Sequence, residues 1–410
     1  MKDKHIEKLM NAEKARQKKV INLIASENYV SDDVLKALGS ELTNKYAEGY
    51  PQKRYYGGQQ YIDQIEELAQ ERALKLFKLR RGRREIVGSK ENPVTRVIPG
   101  WHVNVQALSG SPANFAVYSA LVPTGGKIMG MTLENGGHLT HGQKVSVTGK
   151  FWVQVPFGVH PKTERLDYDE IKKIAVQNKP AIIVAGFTAY PRKIDFKIFK
   201  QIADACGALL MVDMSHFAGL VAGQAYPSPF DYADVVTTTV HKTLRGPRSA
   251  IIFSRMDDRE LDKKIDKTIF PGMQGGPHMN QIAAVAVALK EAASPAFKKY
   301  AKQVVKNAAV LSAELKKRGW RIISDGTDSH LILVDTWMNG LGIPGKEASD
   351  LLEKANIIVN KNTIPGETRK PFDPSGIRLG TAAETTRGKK EKDMKAIAEL
   401  IDQTLKKAKT

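Results

Sequence analysis

The chain has 410 residues and a formal net charge of +19 at pH 7, with 42% hydrophobic and 26% charged residues. This length and composition indicate a globular protein of more than one domain and exclude a disordered chain. The positive charge suggests an anionic partner, but the lysines are spread over predicted amphipathic helices, so we interpret them as solvated faces, which does not favour a nucleic-acid partner.

The single cysteine, Cys206, allows no intrachain disulfide, which suits a reducing compartment. The first residues lack the apolar core of a signal peptide, and no apolar stretch reaches the length of a membrane helix. We therefore expect a cytoplasmic protein without a membrane partner.

Residues 1–50 are predicted to form an N-terminal arm that packs on a partner subunit. The arm contains a charged helix, the segment 21–28 and a helix that begins after Ser31. A further helix is predicted over 61–77 from the spacing of its apolar residues. The segment Arg80–Trp101 is basic, contains glycine and proline and shows no period, which predicts a surface loop.

Strands and helices then alternate, which favours a largely parallel sheet covered on both faces, in a large domain over 51–293. The predicted strands are 127–131, 153–157, 181–187, 208–213, 235–240 and 250–254, with helices over 167–177 and 195–206 between them. The pattern changes after the helices predicted over 280–293 and 296–318. Residues 294–410 are predicted to form a smaller α+β domain, with strands over 321–324 and 331–336, a helix over 346–355 and a closing helix from 389.

Two of these strands end close to charged residues that suit a pyridoxal phosphate (PLP) enzyme. Lys242 follows the strand 235–240, where burial and neighbouring cations activate an amine for a Schiff base. Asp213 ends the strand 208–213, where a carboxylate is costly unless a cation meets it. PLP needs both groups, a lysine for its aldehyde and an acid for its pyridine nitrogen. The pair therefore predicts a PLP site.

Further segments offer groups that such a site requires. Ser109, Gly110 and Ser111 precede a helix predicted over 115–122, and a helix N-terminus binds anions such as the PLP phosphate. Arg378 offers a guanidinium fork for an α-carboxylate. Glu48 lies in a loop rich in tyrosine and glycine and is a candidate proton carrier.

Other site classes lack support in the sequence. His138 lies on a glycine-rich loop, three residues before His141, without the acid of a zinc motif, so we assign no metal site. Thr124–Lys127 lacks the leading glycine and trailing hydroxyl of a phosphate loop. Kinase and dehydrogenase functions are therefore not favoured.

In chain order, these segments resemble the serine hydroxymethyltransferase family of fold-type I PLP enzymes, from about Leu23 to Gly380. The strings that carry the resemblance are Leu23–Tyr29, Thr43–Gly58, Gly136–Gly142, Val236–Arg248 and Ser375–Gly380. The resemblance implies an α/β fold like that of aspartate aminotransferase, with a mainly parallel seven-stranded sheet in the large domain and a smaller C-terminal α+β domain. It implies reversible transfer of the hydroxymethyl carbon of L-serine to tetrahydrofolate, giving glycine and 5,10-methylenetetrahydrofolate, by a homodimer with shared active sites.

The resemblance also implies roles for individual residues. The implied catalytic residues are Lys242, Glu48, Asp213, His138, Tyr56 and His241. The implied PLP-binding residues are Ser109, Gly110, Ser111, His138, Thr188, Asp213, His216, Thr239, His241 and Lys242, joined across a dimer interface by Tyr46 and Gly276. The implied serine-binding residues are Ser26, Glu48, Tyr56, His216 and Arg378, and those for folate are Leu133, Gly137, Leu139, Asn362 and Phe372.

The chain departs from the family pattern at several positions. Val240 stands where threonine is usual, Thr188 where serine is common and Asn135 where histidine is often found. We expect the first two to tune the reaction and Asn135 to affect the affinity for the pterin. The basic segment Arg80–Trp101 is also longer than the usual connection.

Two alternatives stay open at this point. A folate-independent PLP aldolase acting on β-hydroxy amino acids would share Lys242, Asp213 and Arg378, although Glu48 and the Gly137–Leu139 loop argue against it. A basic RNA-binding protein that has lost catalysis would lack the visible absorbance of a PLP Schiff base.

Overall fold

The computed structural model describes residues 1–88 and 93–408, and within them no helix is both long and apolar enough to cross a membrane. The helices are α1 (Lys4–Lys19), α2 (Asp32–Leu38), α3 (Gln60–Leu76), α4 (Gly110–Leu121), α5 (Thr148–Phe151), α6 (Tyr168–Asn178), α7 (Phe196–Cys206), α8 (Ala218–Ala222), α9 (Leu261–Lys267), α10 (Met279–Ala292), α11 (Pro295–Lys317), α12 (Gly345–Lys354), α13 (Ala382–Thr386) and α14 (Glu391–Lys407). The strands are β1 (Ile21–Asn22), β2 (Gly49–Tyr50), β3 (Lys53–Arg54), β4 (Arg83–Gly88), β5 (Pro93–Ile98), β6 (Gly100–Asn104), β7 (Lys127–Met131), β8 (Val153–Phe157), β9 (Ile182–Ala185), β10 (Leu209–Asp213), β11 (Val235–Thr239), β12 (Ala250–Met256), β13 (Arg321–Ile322), β14 (Leu331–Asp335), β15 (Ile357–Ile358), β16 (Asn360–Asn362) and β17 (Gly376–Gly380).

The chain forms two compact units. The larger unit comprises residues 28–302, and the smaller unit combines residues 1–27 with 303–410. These boundaries differ from those of the three segments 1–50, 51–293 and 294–410, whose division into domains stays a prediction. The first 27 residues group with the C-terminal segment because β1 pairs in parallel with β15.

The larger unit is built on a seven-stranded sheet with the order β6-β12-β11-β10-β9-β7-β8. Neighbouring strands from β11 to β8 are parallel, whereas β12 is antiparallel to both β11 and β6. All residues of β9 and β11 are buried, as expected for strands that read as continuous apolar or β-branched runs. The mainly parallel seven-stranded sheet predicted from the sequence is confirmed.

The smaller unit has an antiparallel four-stranded sheet with the order β13-β14-β17-β16. Its apolar core draws on helices α11, α12 and α14 and on Leu23 of the N-terminal segment, which is fully buried. This mixture of helices with an antiparallel sheet confirms the predicted α+β class.

The prediction of a surface loop over Arg80–Trp101 is wrong for the residues of this segment that the structure describes. Strands β4 and β5 pair in an antiparallel hairpin, and β6 joins the large sheet beside β12. Arginines interrupt the alternation of β-branched residues, so the periodic signal of a strand is weak, and cross-strand pairing supplies what the local pattern lacks. Residues 89–92 of the predicted loop lie outside the described residues.

A substitution at Gly380 tests the packing of the N-terminal segment in the smaller unit. The amide of Gly380 donates to the Leu23 carbonyl at 2.8 Å, and a Cβ on Gly380 would lie 2.4 Å from Cα of Ala25. Because the backbones must separate, Gly380→Ala is expected to lower Tm by about 2–5 °C, measured by thermal unfolding. Gly39→Ala is the control, since its Cβ would meet only the Leu35 carbonyl at 3.6 Å. Equal Tm values for the two variants would contradict this account.

Candidate active site

A cavity of about 140 Å³ lies in the larger unit, where the parallel strands β7, β9, β10 and β11 end. The carboxyl edge of a parallel sheet is the usual place for a ligand in such folds. The cavity is lined by Ser109, Gly110, Ser111, Asn114, His138, His141, Gly186, Phe187, Thr188, Asp213, Ser215, His216, Thr239, His241, Lys242 and Arg248. All ten of the PLP-binding residues predicted within one subunit therefore line this cavity.

Asp213, the last residue of β10, places a buried carboxylate in this cavity. Its Oδ2 accepts a hydrogen bond from Asn114 Nδ2 at 2.8 Å, and its Oδ1 accepts one from the Ser215 amide at 3.0 Å. Burial on its own raises the pKa of Asp213, whereas His141, His138 and these hydrogen bonds lower it, and the net pKa is below its ordinary value. The carboxylate is therefore ionised at neutral pH and can pair with a cation.

Asn114 on α4 connects Asp213 to other parts of the cavity. Its Nδ2 also contacts the hydroxyl of Thr140 at 2.9 Å, and its Oδ1 accepts from the Thr237 hydroxyl at 2.8 Å. Thr140 Oγ1 in turn lies 2.7 Å from Nδ1 of His138. The ring of His138 is thereby oriented by the same network that holds the carboxylate.

His141 lies behind this network and is almost completely buried. Its Nδ1 is 2.8 Å from the hydroxyl of Tyr118, and its Nε2 is 3.6 Å from Oδ2 of Asp213. Burial lowers the pKa of His141 to about 4, against the opposing attraction of Asp213. The imidazole is therefore neutral at pH 7 and contributes hydrogen bonding to the site.

Lys242 follows β11 by three residues and is half-buried, with Nζ 2.9 Å from the hydroxyl of Thr239. Its backbone carbonyl accepts from Asn28 Nδ2 at 3.0 Å, and the same amide contacts the Tyr300 hydroxyl at 2.8 Å. The guanidinium of Arg245 lies 4.3 Å from the centre of the Tyr300 ring. The turn that carries the lysine is thus held by contacts with Asn28 and Tyr300.

A second part of the cavity suits an anion. Ser109 is the N-cap of α4, which begins at Gly110 and not at Phe115 as predicted. The free amide groups of the first turn favour negative charge. His241 Nδ1 is buried without a hydrogen-bond partner among the described residues, and burial lowers the pKa of His241 to about 3.

The residues of this cavity fit PLP. An ionised carboxylate, a primary amine and an imidazole are held close to a helix N-terminus in one cavity. The buried nitrogen of His241 also calls for a partner that a phosphate oxygen would supply. Gly110 fits a close approach as well, because a Cβ there would lie 2.7 Å from Cγ2 of Thr239.

We call the cavity described above the Lys242 cavity. Glu48 does not line the Lys242 cavity of its own chain and lies in a separate cluster. Its carboxylate accepts from the hydroxyl of Tyr56 at 3.1 Å and from that of Tyr46 at 3.4 Å. The Tyr46 ring also packs against Gly276, where a Cβ would come within 3.3 Å. Tyr46 and Tyr56 are more than half exposed, at 59% and 51%. Four predicted site residues are therefore together, at the surface.

The smaller unit carries the predicted residues Ser26, Asn362, Phe372 and Arg378. Arg378 on β17 is buried, and its Nη2 donates to Asn360 Oδ1 at 2.8 Å across the sheet. Burial lowers the pKa of Arg378 to about 10, so the guanidinium keeps its charge at pH 7. Phe372 is 83% exposed, and Ser26 is half-buried.

The loop after β7 contains the predicted folate residues Leu133, Gly137 and Leu139. Gly137 is required there, since a Cβ would lie 2.0 Å from the Met131 carbonyl oxygen. Asn135 holds the loop, donating to Thr132 Oγ1 at 2.7 Å and accepting from the Val159 amide at 3.3 Å. Asparagine at this position thus has a structural role.

Val240, the other departure near the lysine, is fully buried and does not line the cavity. A Cβ on Gly246 would lie 2.4 Å from Cγ1 of Val240, so this side chain packs on the turn after Lys242. Thr188, by contrast, lines the cavity and keeps its hydroxyl there.

Comparison with known proteins defines the family. The family model described as serine hydroxymethyltransferase matches residues 1–401. The chain is 52% identical over 403 residues to the serine hydroxymethyltransferase of Desulfotalea psychrophila (strain LSv54 / DSM 12343), covering 98% of this chain and 88% of that protein. The chain belongs to the serine hydroxymethyltransferase family. Members of this family are fold-type I, PLP-dependent transferases that use tetrahydrofolate as cosubstrate, which confirms the predicted fold class, activity, cofactor and cosubstrate.

Sequence reasoning missed several residues that the structure brings to the cavity. Asn114, Thr140 and Ser215 lie beside predicted residues in the sequence, but they carry no motif of their own. Tyr118 gives no signal, because it lies mid-helix among apolar residues. His141 could have been found, since a second histidine three residues after His138 was already visible.

The neutral state of His141 predicts a loss of stability in mild acid. The pKa of His141 is about 4 in the folded protein. An unfolded histidine has a pKa of about 6.5, so the unfolded state takes up the proton first as pH falls. This difference lowers the free energy of unfolding by about 2 kcal/mol at pH 5. Stability present at pH 7 is thus lost progressively between these two pKa values. His141→Gln is expected to show a smaller decrease in Tm from pH 7 to pH 5 than the wild type.

The control for this measurement is His5→Gln, which removes an exposed histidine on α1. It is expected to retain the wild-type dependence of Tm on pH. A His141→Gln variant with the same dependence as the wild type would show that this imidazole does not limit stability in acid.

Proposed function

We propose that this chain interconverts L-serine plus tetrahydrofolate and glycine plus 5,10-methylenetetrahydrofolate, with PLP held in the Lys242 cavity. The observation that carries this proposal is the presence of an amine and an ionised, buried carboxylate in one cavity that also offers a helix N-terminus. Bound PLP would supply a ring that accepts electrons from the substrate. Lys242 would hold its aldehyde carbon, Asp213 its protonated ring nitrogen, and Ser109, Gly110 and Ser111 its phosphate.

The other cavity residues would orient PLP and fix the protonation states of the side chains around it. The Asn114 network keeps Asp213 ionised and fixes His138, the residue proposed to lie against the ring. His241, being neutral at pH 7, would bind the phosphate through a hydrogen bond, and Arg248 at the cavity wall would contribute positive charge. His216, Thr188 and Thr239 would complete the wall.

Substrate binding is proposed for Arg378, whose guanidinium fork suits the α-carboxylate of serine, with Ser26, Tyr56 and His216 as further contacts. Glu48 is the proposed acid or base at the serine hydroxyl and the folate. Its bonds to Tyr46 and Tyr56 support this role, because they fix the direction of the carboxylate. Leu133, Gly137, Leu139, Asn362 and Phe372 are the proposed folate contacts, and a cytoplasmic location stays a prediction.

We further propose a homodimer in which Glu48, Tyr46, Tyr56 and Gly276 complete the site of the other subunit. These residues form a partly exposed cluster outside the Lys242 cavity of their own chain. Exposed aromatic side chains around a charged group are typical of protein interfaces.

The proposed cofactor attachment and reaction are tested with Lys242→Ala. The purified wild type is expected to show the visible absorbance band of lysine-bound PLP, and Lys242→Ala to lack it, because alanine has no amine. Lys162→Ala, which removes an exposed lysine, is expected to keep the band. Glycine formation from serine should depend on tetrahydrofolate. A rate indifferent to folate would favour the aldolase alternative and contradict the transferase.

The shared site is tested by pairing two inactive subunits. A heterodimer of Lys242→Ala and Glu48→Gln subunits, purified through two different tags, has one site with both residues intact. It is expected to recover about half of the wild-type kcat, since one of two sites is complete. If Glu48 instead served its own subunit, both sites would be defective and no activity would return.

A further inference from the structure

A pocket that the proposed reaction does not use lies at the base of the hairpin formed by β4 and β5. The pocket has a volume of about 690 Å³. We call it the arginine pocket, and it is lined by Arg80, Arg81, Arg83, Arg96, Val97, Ile98 and Pro99. It thus combines four guanidinium groups with an apolar wall.

The base of this hairpin is tightly fastened to the larger unit. Arg84 makes a two-pronged ion pair with Asp262 on α9, at 2.6 and 2.9 Å, and Asp262 is buried. The Trp101 amide donates to the Arg80 carbonyl at 2.9 Å, and the Gly82 amide donates to the Trp101 carbonyl at 3.1 Å. A Cβ on Gly100 would lie 2.4 Å from the Gly82 nitrogen, so the two sides of the base are in direct backbone contact. The arginines are therefore presented from a fixed base.

Three of the four arginines that line the arginine pocket form no ion pair among the described residues. Arg83 pairs with Glu85 at 2.7 Å, with the arginine side chain 67% exposed. Among the described residues, no carboxylate lies within ion-pair distance of Arg80, Arg81 or Arg96. Guanidinium groups stay charged at any physiological pH, and their planar forks match phosphate oxygens. Such a group of arginines calls for a ligand with several negative charges.

The surroundings of the arginine pocket favour a compact ligand over an extended polyanion. Arg81 also borders a second cavity, whose lining includes the carboxylates of Glu67, Glu71 and Asp266. These acids interrupt the basic surface and would repel a nucleic-acid strand that continued past Arg81. The apolar wall at Val97, Ile98 and Pro99 offers a surface on which a flat nucleobase can pack. Inorganic phosphate has no such group and would leave this wall unused.

We propose that the arginine pocket binds a nucleoside polyphosphate, with the phosphates on the arginines and the base against the apolar wall. The volume of the pocket lies in the range of small-molecule sites, about 300–1,000 Å³. Binding there involves no residue of the proposed reaction, so the site can be tested without reference to activity.

The test is isothermal titration calorimetry of the PLP-loaded protein at 0.15 M salt, with ATP, adenosine and inorganic triphosphate as probes. Loading with PLP keeps the probes away from the phosphate part of the Lys242 cavity. We expect ATP to bind with a Kd tighter than about 1 mM, triphosphate to bind more weakly and adenosine not to bind at this concentration. Equal affinities for ATP and triphosphate would overturn the proposed role of the base.

The double variant Arg81→Gln/Arg96→Gln is expected to weaken ATP binding by at least about tenfold. The matched control is Arg165→Gln/Lys172→Gln, which removes two exposed positive charges elsewhere in the larger unit and is expected to bind ATP like the wild type. Circular dichroism and Tm show whether each variant is folded. Two results would each overturn the proposal: no ATP binding by the wild type, whether or not a ten-nucleotide RNA binds, or the same loss of ATP binding in the control.

Discussion

Burial of the Asp213 carboxylate at the end of β10 sets the conditions for the rest of the larger unit. A charge withdrawn from water needs hydrogen bonds or opposite charge in compensation. The compensation comes from hydrogen bonds: α4 supplies Asn114 and the turn after β10 supplies the Ser215 amide, while Thr140 in the loop after β7 holds Asn114 in place. Errors in the placement of any of them would leave a buried charge without support, so the network selects one arrangement of these segments.

The same arrangement explains why the amine and the carboxylate share a cavity although they are far apart in sequence. Strands β10 and β11 are adjacent and parallel, with Asp213 opposite Thr237, so the segments that follow both strands emerge at one edge of the sheet. Thr239 then contacts the amine of Lys242, while Thr237 contacts Asn114 of the carboxylate network. A two-strand unit thus contributes to both ends of the cavity, and the helix N-terminus of α4 completes it.

Much of this arrangement could be predicted because it depends on local signals. Buried strands such as β9 and β11 are continuous apolar or β-branched runs, and charged residues near strand ends point to a site at the sheet edge. The hairpin of β4 and β5 could not be predicted in the same way, because its stability comes from cross-strand pairing and from the ion pair of Arg84 with Asp262, which is distant in sequence. The roles of Asn114 and Tyr118 were hidden for a similar reason, since a polar residue on a helix acquires its partner only from the tertiary fold.

The pairing of β1 with β15 has a consequence for synthesis of the protein. Leu23 belongs to the same apolar core as residues of α14, so the smaller unit needs both the start and the end of the chain. On the ribosome, residues 1–27 emerge long before their partners in residues 303–410, whereas residues 28–302 can complete their own sheet earlier. The N-terminal segment therefore spends most of translation with Leu23 exposed, where chaperones or early association with other chains can act on it.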